Sequence, residues 1–136
     1  MKKLIFLTVI LSVLFAGTAY SAYVRKKPKI QFEQTTINLG TFYQNDAIKT
    51  VVFRFKNVGN AKLVINYVNT SCGCTVADYP KDYISPGGTG EIKVTYNGKD
   101  KYPGKFRKVI SVYTNNGKTI TRLYIEGNML AAQQSR

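Results

Sequence analysis

Thr50-Val51-Val52-Phe53-Arg54-Phe55-Lys56, followed by Asn57-Val58-Gly59-Asn60, is the stretch that decides the fold class. Val51, Phe53 and Phe55 alternate with Val52, Arg54 and Lys56, the period-2 pattern of a strand that buries one face. Asn57 to Asn60 is turn chemistry, and Leu63, Ile65 and Tyr67 form a returning strand. Upstream, Asn45-Asp46 is a second turn. Before it, Ile30 and Phe32, then Ile37 and Leu39, read as one short edge strand split around Gln34-Thr35.

Downstream the same grammar continues. Pro80, Pro86, Gly87, Gly88 and Gly90 make residues 77–90 a loop. Ile92, Val94 and Tyr96 alternate with Lys93 and Thr95 as another strand. Asn97-Gly98 and Pro103-Gly104 bound a charged connection, and Phe106 to Thr114 is the next strand. Asn115-Asn116-Gly117-Lys118 is a hairpin signal, because Asn and Gly tolerate positive φ. Ile120 to Gly127 returns, with Leu123 and Ile125 on one face and Ile120 and Tyr124 on the other. Nothing after the N-terminal segment holds apolar residues at helical spacing. About seven short strands in some 100 residues predict an all-β chain, a single immunoglobulin-like β-sandwich over residues 30–129. A small closed barrel is the alternative, which the long Pro/Gly connection makes less natural.

The first 21 residues have the layout of a signal peptide: Lys2 and Lys3, an apolar run from Leu4 to Ala16, then small residues to Ser21. That run is shorter than the ~20 apolar residues a spanning helix needs. Export to the periplasm or cell surface follows, with no integral membrane domain after cleavage; an uncleaved anchor from Leu4 to Val24 is the alternative. No cysteine near the cleavage zone offers a lipid attachment point. Residues 22–29 (Ala22 to Lys29) form a basic, mobile lead-in, and residues 130–136 a frayed polar tail. Without Lys2 and Lys3 the balance is 18 basic residues to 7 acidic, a net charge of +11. Such a surplus favours anionic partners over long range. In an exported chain these are membrane surfaces, acidic glycans or acidic proteins rather than nucleic acid; a scattered, solvated basic surface is the plain alternative.

The chemistry is bounded sharply. There is no histidine, which removes His-based triads, His acid–base work and His metal ligands within one chain. The seven carboxylates are dispersed, and Asp78 and Asp82 flank Tyr79-Pro80 as a loop does. Ser85-Pro86-Gly87-Gly88-Thr89-Gly90 has no following lysine and opens a strand, so it is a turn and not a phosphate cradle. Asn69-Thr70-Ser71 fits the N-glycosylation pattern, which is short enough to arise by chance. None of the ten tyrosines reads as a sugar-stacking platform from sequence.

Two constellations remain. Cys72 and Cys74, separated by Gly73, are the only cysteines. In extended chain, residues i and i+2 point to one side, so both sulfurs can face one ligand. Export exposes them to oxidising conditions. A disulfide between them closes a very small ring, and strained disulfides are readily reduced, so a redox pair has a physical basis. As thiolates they suit Cu(I) better than Zn(II), which wants four ligands. Some exported immunoglobulin-like copper-delivery factors look similar in holding copper on such a pair, although Met129 is the single methionine of the mature chain. The plain reading is a local staple or a buried loop anchor. The second constellation is Lys99, Lys101, Tyr102, Lys105, Phe106, Arg107 and Lys108. These basic and aromatic residues near a turn form a candidate loop for an anion or partner, or else a solvated charged hairpin.

Phe53-Arg-Phe55-Lys-Asn57-Val-Gly59, Leu63-Val-Ile65, Ser71-Cys-Gly-Cys-Thr75, Pro86-Gly87 and the last strand closing on Gly127 together resemble a family. It is the exported bacterial immunoglobulin-like domain of unknown function numbered 1573, marked by the Ser-Cys-Gly-Cys-Thr signature. It is distantly similar to Hydin-type and major-sperm-protein-type sandwiches, mostly scaffolding and interaction modules. The resemblance spans nearly all of the mature chain and implies fold and export, with no established activity. The expected function is therefore a non-enzymatic interaction or scaffold module of the cell envelope, its partner another envelope protein or an anionic surface. The alternative is a thiol site in which Cys72 and Cys74 bind or deliver Cu(I), or exchange disulfides.

Overall fold

The computed structural model describes Lys3, residues 24–117 and residues 119–134. Apart from Lys3, the expected signal peptide lies outside the described residues. Eight strands stand in order among those described: β1 (Ile30–Phe32), β2 (Thr36–Tyr43), β3 (Ile48–Asn57), β4 (Ile65–Thr70), β5 (Thr75–Asp78), β6 (Thr89–Asn97), β7 (Gly104–Thr114) and β8 (Ile120–Leu130). They form two four-stranded sheets, β1-β3-β6-β5 and β2-β8-β7-β4. The chain is all-β and the two sheets make the expected sandwich.

The alternation read in sequence is what holds the layers together. Phe53 and Phe55 of β3 and Ile92, Val94 and Tyr96 of β6 are buried, as are Ile110 and Val112 of β7 and Leu123 and Ile125 of β8. Each such side chain contributes about 1.5–3 kcal/mol on leaving water. The β3–β6 ladder runs from Ile48↔Asn97 to Lys56↔Thr89, so the buried sets of both strands share one face. β7 and β8 pair from Gly104↔Met129 to Tyr113↔Ile120, as the Asn115–Gly117 turn signal requires.

Four expectations are corrected. The split edge strand is two strands in different sheets. β1 is antiparallel to β3, while β2 runs parallel to β8 with a register shift between Asn38 and Thr41, where Gly40 has φ 72°. Each half thus borders its own sheet, and the break at Gln34-Thr35 is where the chain changes layer. Secondly, β3 and β4 are not a hairpin. The Val58–Val64 connection crosses between sheets, and Leu63 bridges Ile84 instead. Thirdly, β5 occupies Thr75–Asp78, partly inside the expected loop. Its pattern runs against hydropathy, since Thr75 is buried and Val76 is exposed.

The fourth concerns the basic lead-in, whose last three residues are docked. Pro28 is buried, the Val58 and Asn60 amides donate to the carbonyls of Lys29 and Lys27, and the Lys27 amide donates to Asn60 Oδ1 at 2.7 Å. At the other end β8 continues to Leu130, and 131–134 carry no regular structure. Among the described residues no helix is long and apolar enough to cross a membrane.

Candidate functional site

Ser71–Cys74 is the link by which the chain leaves β4, on the edge of one sheet, and enters β5, on the edge of the other. The backbone ties it down on both sides. The Ser71 amide donates to the Val109 carbonyl at 3.0 Å, and the Val109 amide donates back to Ser71 Oγ at 3.1 Å. On the opposite side the Asn97 amide donates to the Cys74 carbonyl at 2.8 Å. Thr75 closes a tight turn by donating its amide to the Cys72 carbonyl at 3.0 Å, and the Thr70 hydroxyl spans the turn to the Thr75 carbonyl at 2.9 Å. Each residue of Thr70-Ser71-Cys72-Gly73-Cys74-Thr75 thus has a place in the crossover, either in a hydrogen bond or, for Gly73, at its crest.

Within that frame the sulfurs of Cys72 and Cys74 are joined as a disulfide, their Cα atoms 5.1 Å apart. Both side chains are half-buried, while Gly73 between them is exposed and, its chain neighbours apart, has nothing within 4 Å of where a Cβ would sit. The two sulfurs are not equivalent. Cys74 rests against the core cluster, and Cys72 Sγ accepts the Cys74 amide at 3.1 Å. The ladder from Tyr67↔Tyr113 to Thr70↔Ile110 ends with Ser71, whose amide and hydroxyl both bond Val109 of β7. With the bond formed neither sulfur is a thiolate, so the Cu(I) expectation concerns the reduced pair. Met129 is buried, facing Gly98 and Tyr96. No three His, Cys, Asp or Glu side chains gather as a metal cluster among the described residues.

The structure divides the basic and aromatic constellation. Lys99, Lys101 and Tyr102 lie on the β6–β7 loop, where Gln44 Nε2 donates to the carbonyls of Lys101 and Lys99 and Tyr102 is 97% exposed. Phe106 is no loop residue. It stacks on Tyr96 at 4.4 Å and meets Phe42 edge-on at 6.0 Å: the strand expected from Phe106 begins at Gly104 and turns this ring inward, away from the basic side chains grouped with it in the candidate loop. Lys105 and Arg107 point outward from β7. With Asn38, Thr41, Glu126 and Asn128 they line an open concavity of about 590 Å³ on the β2-β8-β7-β4 sheet. Arg107 lies 4.1 Å over the Tyr124 ring. Lys108 is half-buried and paired with Ile125 of β8. The two constellations are neighbours at one end of the sandwich, because the loop leaves β6 beside Cys74.

A feature that sequence reading missed lies on the same outer face. Tyr67 of β4 stacks on Tyr113 of β7 at 4.1 Å, and Tyr113 is level with Ile120 of β8. Tyr67 is 51% exposed and Ile120 36%. Desolvation, then the charge and hydrogen bond of Tyr113, raise the Tyr67 pKa above the usual tyrosine value. Only the pairing register reveals this row, since its members come from three separate strands.

Comparison with solved structures shows the fold. A protein of unknown function from Porphyromonas gingivalis W83 superimposes with a TM-score of 0.66 at 18% identity, over 76% of this chain and 47% of that one. PapD-like domain 7 of human CEP192 gives 0.62 at 10% identity, over 77% and 87%. The periplasmic chaperone SfaE gives 0.57 at 8% identity, over 78% and 61%. The chain spans about half the length of the Porphyromonas protein. No curated protein matches the sequence. The profile of a family described as protein of unknown function (DUF1573) covers residues 30–129, and with the sandwich and its cysteine crossover in place the chain belongs to that family.

Proposed function

We propose that the chain is an exported, non-enzymatic interaction module of the cell envelope, and that it docks another protein on the outer face of the β2-β8-β7-β4 sheet. The observation that carries this reading is the row Tyr67–Tyr113–Ile120, solvent-facing on a sheet whose other face is core. Aromatic side chains supply large, rigid contact area and are enriched, with arginine, at the centres of protein interfaces. Arg107 on Tyr124, beside Lys105, continues the same face toward the cysteine end. These cations suit an acidic partner surface and speed its approach. The likeness to PapD-like and periplasmic chaperone domains supports a protein-binding role, and the N-terminal signal pattern supports export. A lipid or glycan surface recognised by Lys99, Lys101, Lys105 and Arg107 is the competing partner class.

A photo-crosslinking residue placed at position 67 in living cells tests the reading, with the exposed Thr50 on the other sheet as control position. The expected result is one discrete protein adduct from position 67, absent from position 50 and weakened by Arg107→Glu. Equal labelling from both positions, or none from 67, overturns it. Association with anionic vesicles that is lost on raising salt, in the absence of any protein adduct, transfers the assignment to a membrane or glycan surface.

A further inference from the structure

We propose that the Cys72–Cys74 disulfide is a thiol–disulfide exchange site that accepts electrons from a dithiol of a client protein. This goes beyond the docking reading and stands without it, because the observations that carry it lie at the crossover and not on the sheet face.

The bond is poorly placed to serve as a staple. A disulfide stabilises chiefly by removing freedom from the unfolded chain, and the effect shrinks as the closed loop shortens. Here the cysteines are two positions apart, so the loop closed is among the smallest a chain can form. The crossover is already held by Ser71 to Val109 on one sheet, Asn97 to Cys74 on the other, and the turn bond from Thr75 to Cys72. A small ring that constrains little is also one whose opening disturbs little, which is what a reversible redox pair requires.

Access and asymmetry point the same way. Gly73 is exposed and, its chain neighbours apart, has nothing within 4 Å of where a Cβ would sit, so no side chain from elsewhere covers that point of the turn. Cys74 leans on the core, whereas Cys72 follows Ser71, which bonds Val109 of β7. The Cys74 amide, already donating to Cys72 Sγ at 3.1 Å, favours a thiolate at Cys72. These features assign the roles. A client thiolate attacks Cys72 Sγ, the Cys72–Cys74 bond breaks, and its electron pair leaves on Cys74 as a thiolate that takes up a proton. A mixed disulfide now joins the client to Cys72. The second client thiol, losing its proton, attacks the client sulfur of that bond and expels Cys72 as a thiolate held by the Cys74 amide. The client ends as a disulfide and the pair as a dithiol, two electrons having passed from one to the other.

Glutathione is the probe. Purified oxidised full-length chain is equilibrated in mixtures of reduced and oxidised glutathione, quenched with an alkylating reagent and weighed by mass spectrometry. The proposal expects the pair to be half reduced within the range of those mixtures, with the thermal midpoint of the reduced protein within a few degrees of the oxidised one. In single-cysteine variants, Cys74→Ser forms a glutathione adduct at Cys72 about tenfold faster than Cys72→Ser does at Cys74. A pair that stays oxidised in a large excess of reduced glutathione while folded overturns the proposal. So does a fold that collapses on reduction, which restores the staple. Equal reactivity of the two single-cysteine variants overturns the assignment of Cys72 as the attacked sulfur.

Discussion

The side chain of Asn57 is fully buried and makes four hydrogen bonds, all to backbone. Its Nδ2 donates to the carbonyls of Ala61 at 2.8 Å and Ile84 at 3.0 Å, and its Oδ1 accepts the amides of Gly59 at 3.0 Å and Lys29 at 3.3 Å. One amide group therefore joins the lead-in, the end of β3, the crossing connection and the Pro/Gly loop. In the sequence Asn57 reads only as the start of a turn. The reason is physical: two of its partners stand 28 and 27 positions away, and no local pattern announces them. Asn57→Leu keeps the branched outline but is larger and withdraws every partner: the Ala61 carbonyl and the Gly59 and Lys29 amides lose theirs, while the Ile84 carbonyl keeps the Leu63 amide at 2.9 Å. An unpaired buried group costs about 1–3 kcal/mol, and for three partly buried ones a total loss of about 3 kcal/mol is expected. Asn57→Asp is expected to fare no better, because it sets an acceptor against two carbonyls. Urea unfolding measures both, and a shift below about 1 kcal/mol would show that water replaces these bonds freely.

Among the elements, the strands with regular alternation (β3, β6, β7 and β8) were legible because each buries one face and exposes the other. β5 was not, since an edge strand of four residues with Thr75 inward and Val76 outward carries the reverse of the usual signal. Nor does alternation say which sheet a strand joins, which is why β3 and β4 read as partners. The lead-in shows the same limit: a run of lysines around Pro28 reads as solvated chain, yet it is held by backbone bonds that any sequence can make. Gly59 is what permits that docking. A Cβ there would collide with the backbone of Lys27, Pro28 and Lys29. Gly59→Ala is therefore expected to release residues 27–29 while the sheets persist. Hydrogen exchange checks this at the Val58 and Asn60 amides, which donate to Lys29 and Lys27. Both should lose protection, whereas amides of the β3–β6 ladder keep theirs. Protection unchanged at Val58 and Asn60 would mean that the segment shifts to admit the methyl group.

For the molecule as a whole, the two constellations singled out from the sequence prove adjacent, but only because the β6 end bonds to Cys74 and β7 runs beside Ser71. Composition alone foretold the charge surplus, and the structure shows how little of it is neutralised locally. Among the described residues two ion pairs form, Lys49 with Asp46 at 2.6 Å and Arg54 with Glu91 at 3.0 Å, the second exposed at both partners and the first at Asp46. Exposed pairs contribute about 0.2–1 kcal/mol each. Against them stands the mutual repulsion of 18 basic residues facing 7 acidic ones in the chain after residue 21. Folding concentrates that charge, so repulsion weakens the compact state more than the expanded one. Salt screens both terms, and the larger one decides the sign. Raising ionic strength from about 0.01 to 0.15 M shortens the screening length from roughly 30 to 8 Å, enough to separate most of the surface cations. The thermal midpoint of residues 22–136 is expected to rise by a few degrees, since about 1 kcal/mol moves a domain of this size by roughly 4–8 °C. Calorimetry at the two salt concentrations checks it. A midpoint that falls would mean that attractive pairs outweigh the surplus and that the basic surface is not a source of strain in the free protein.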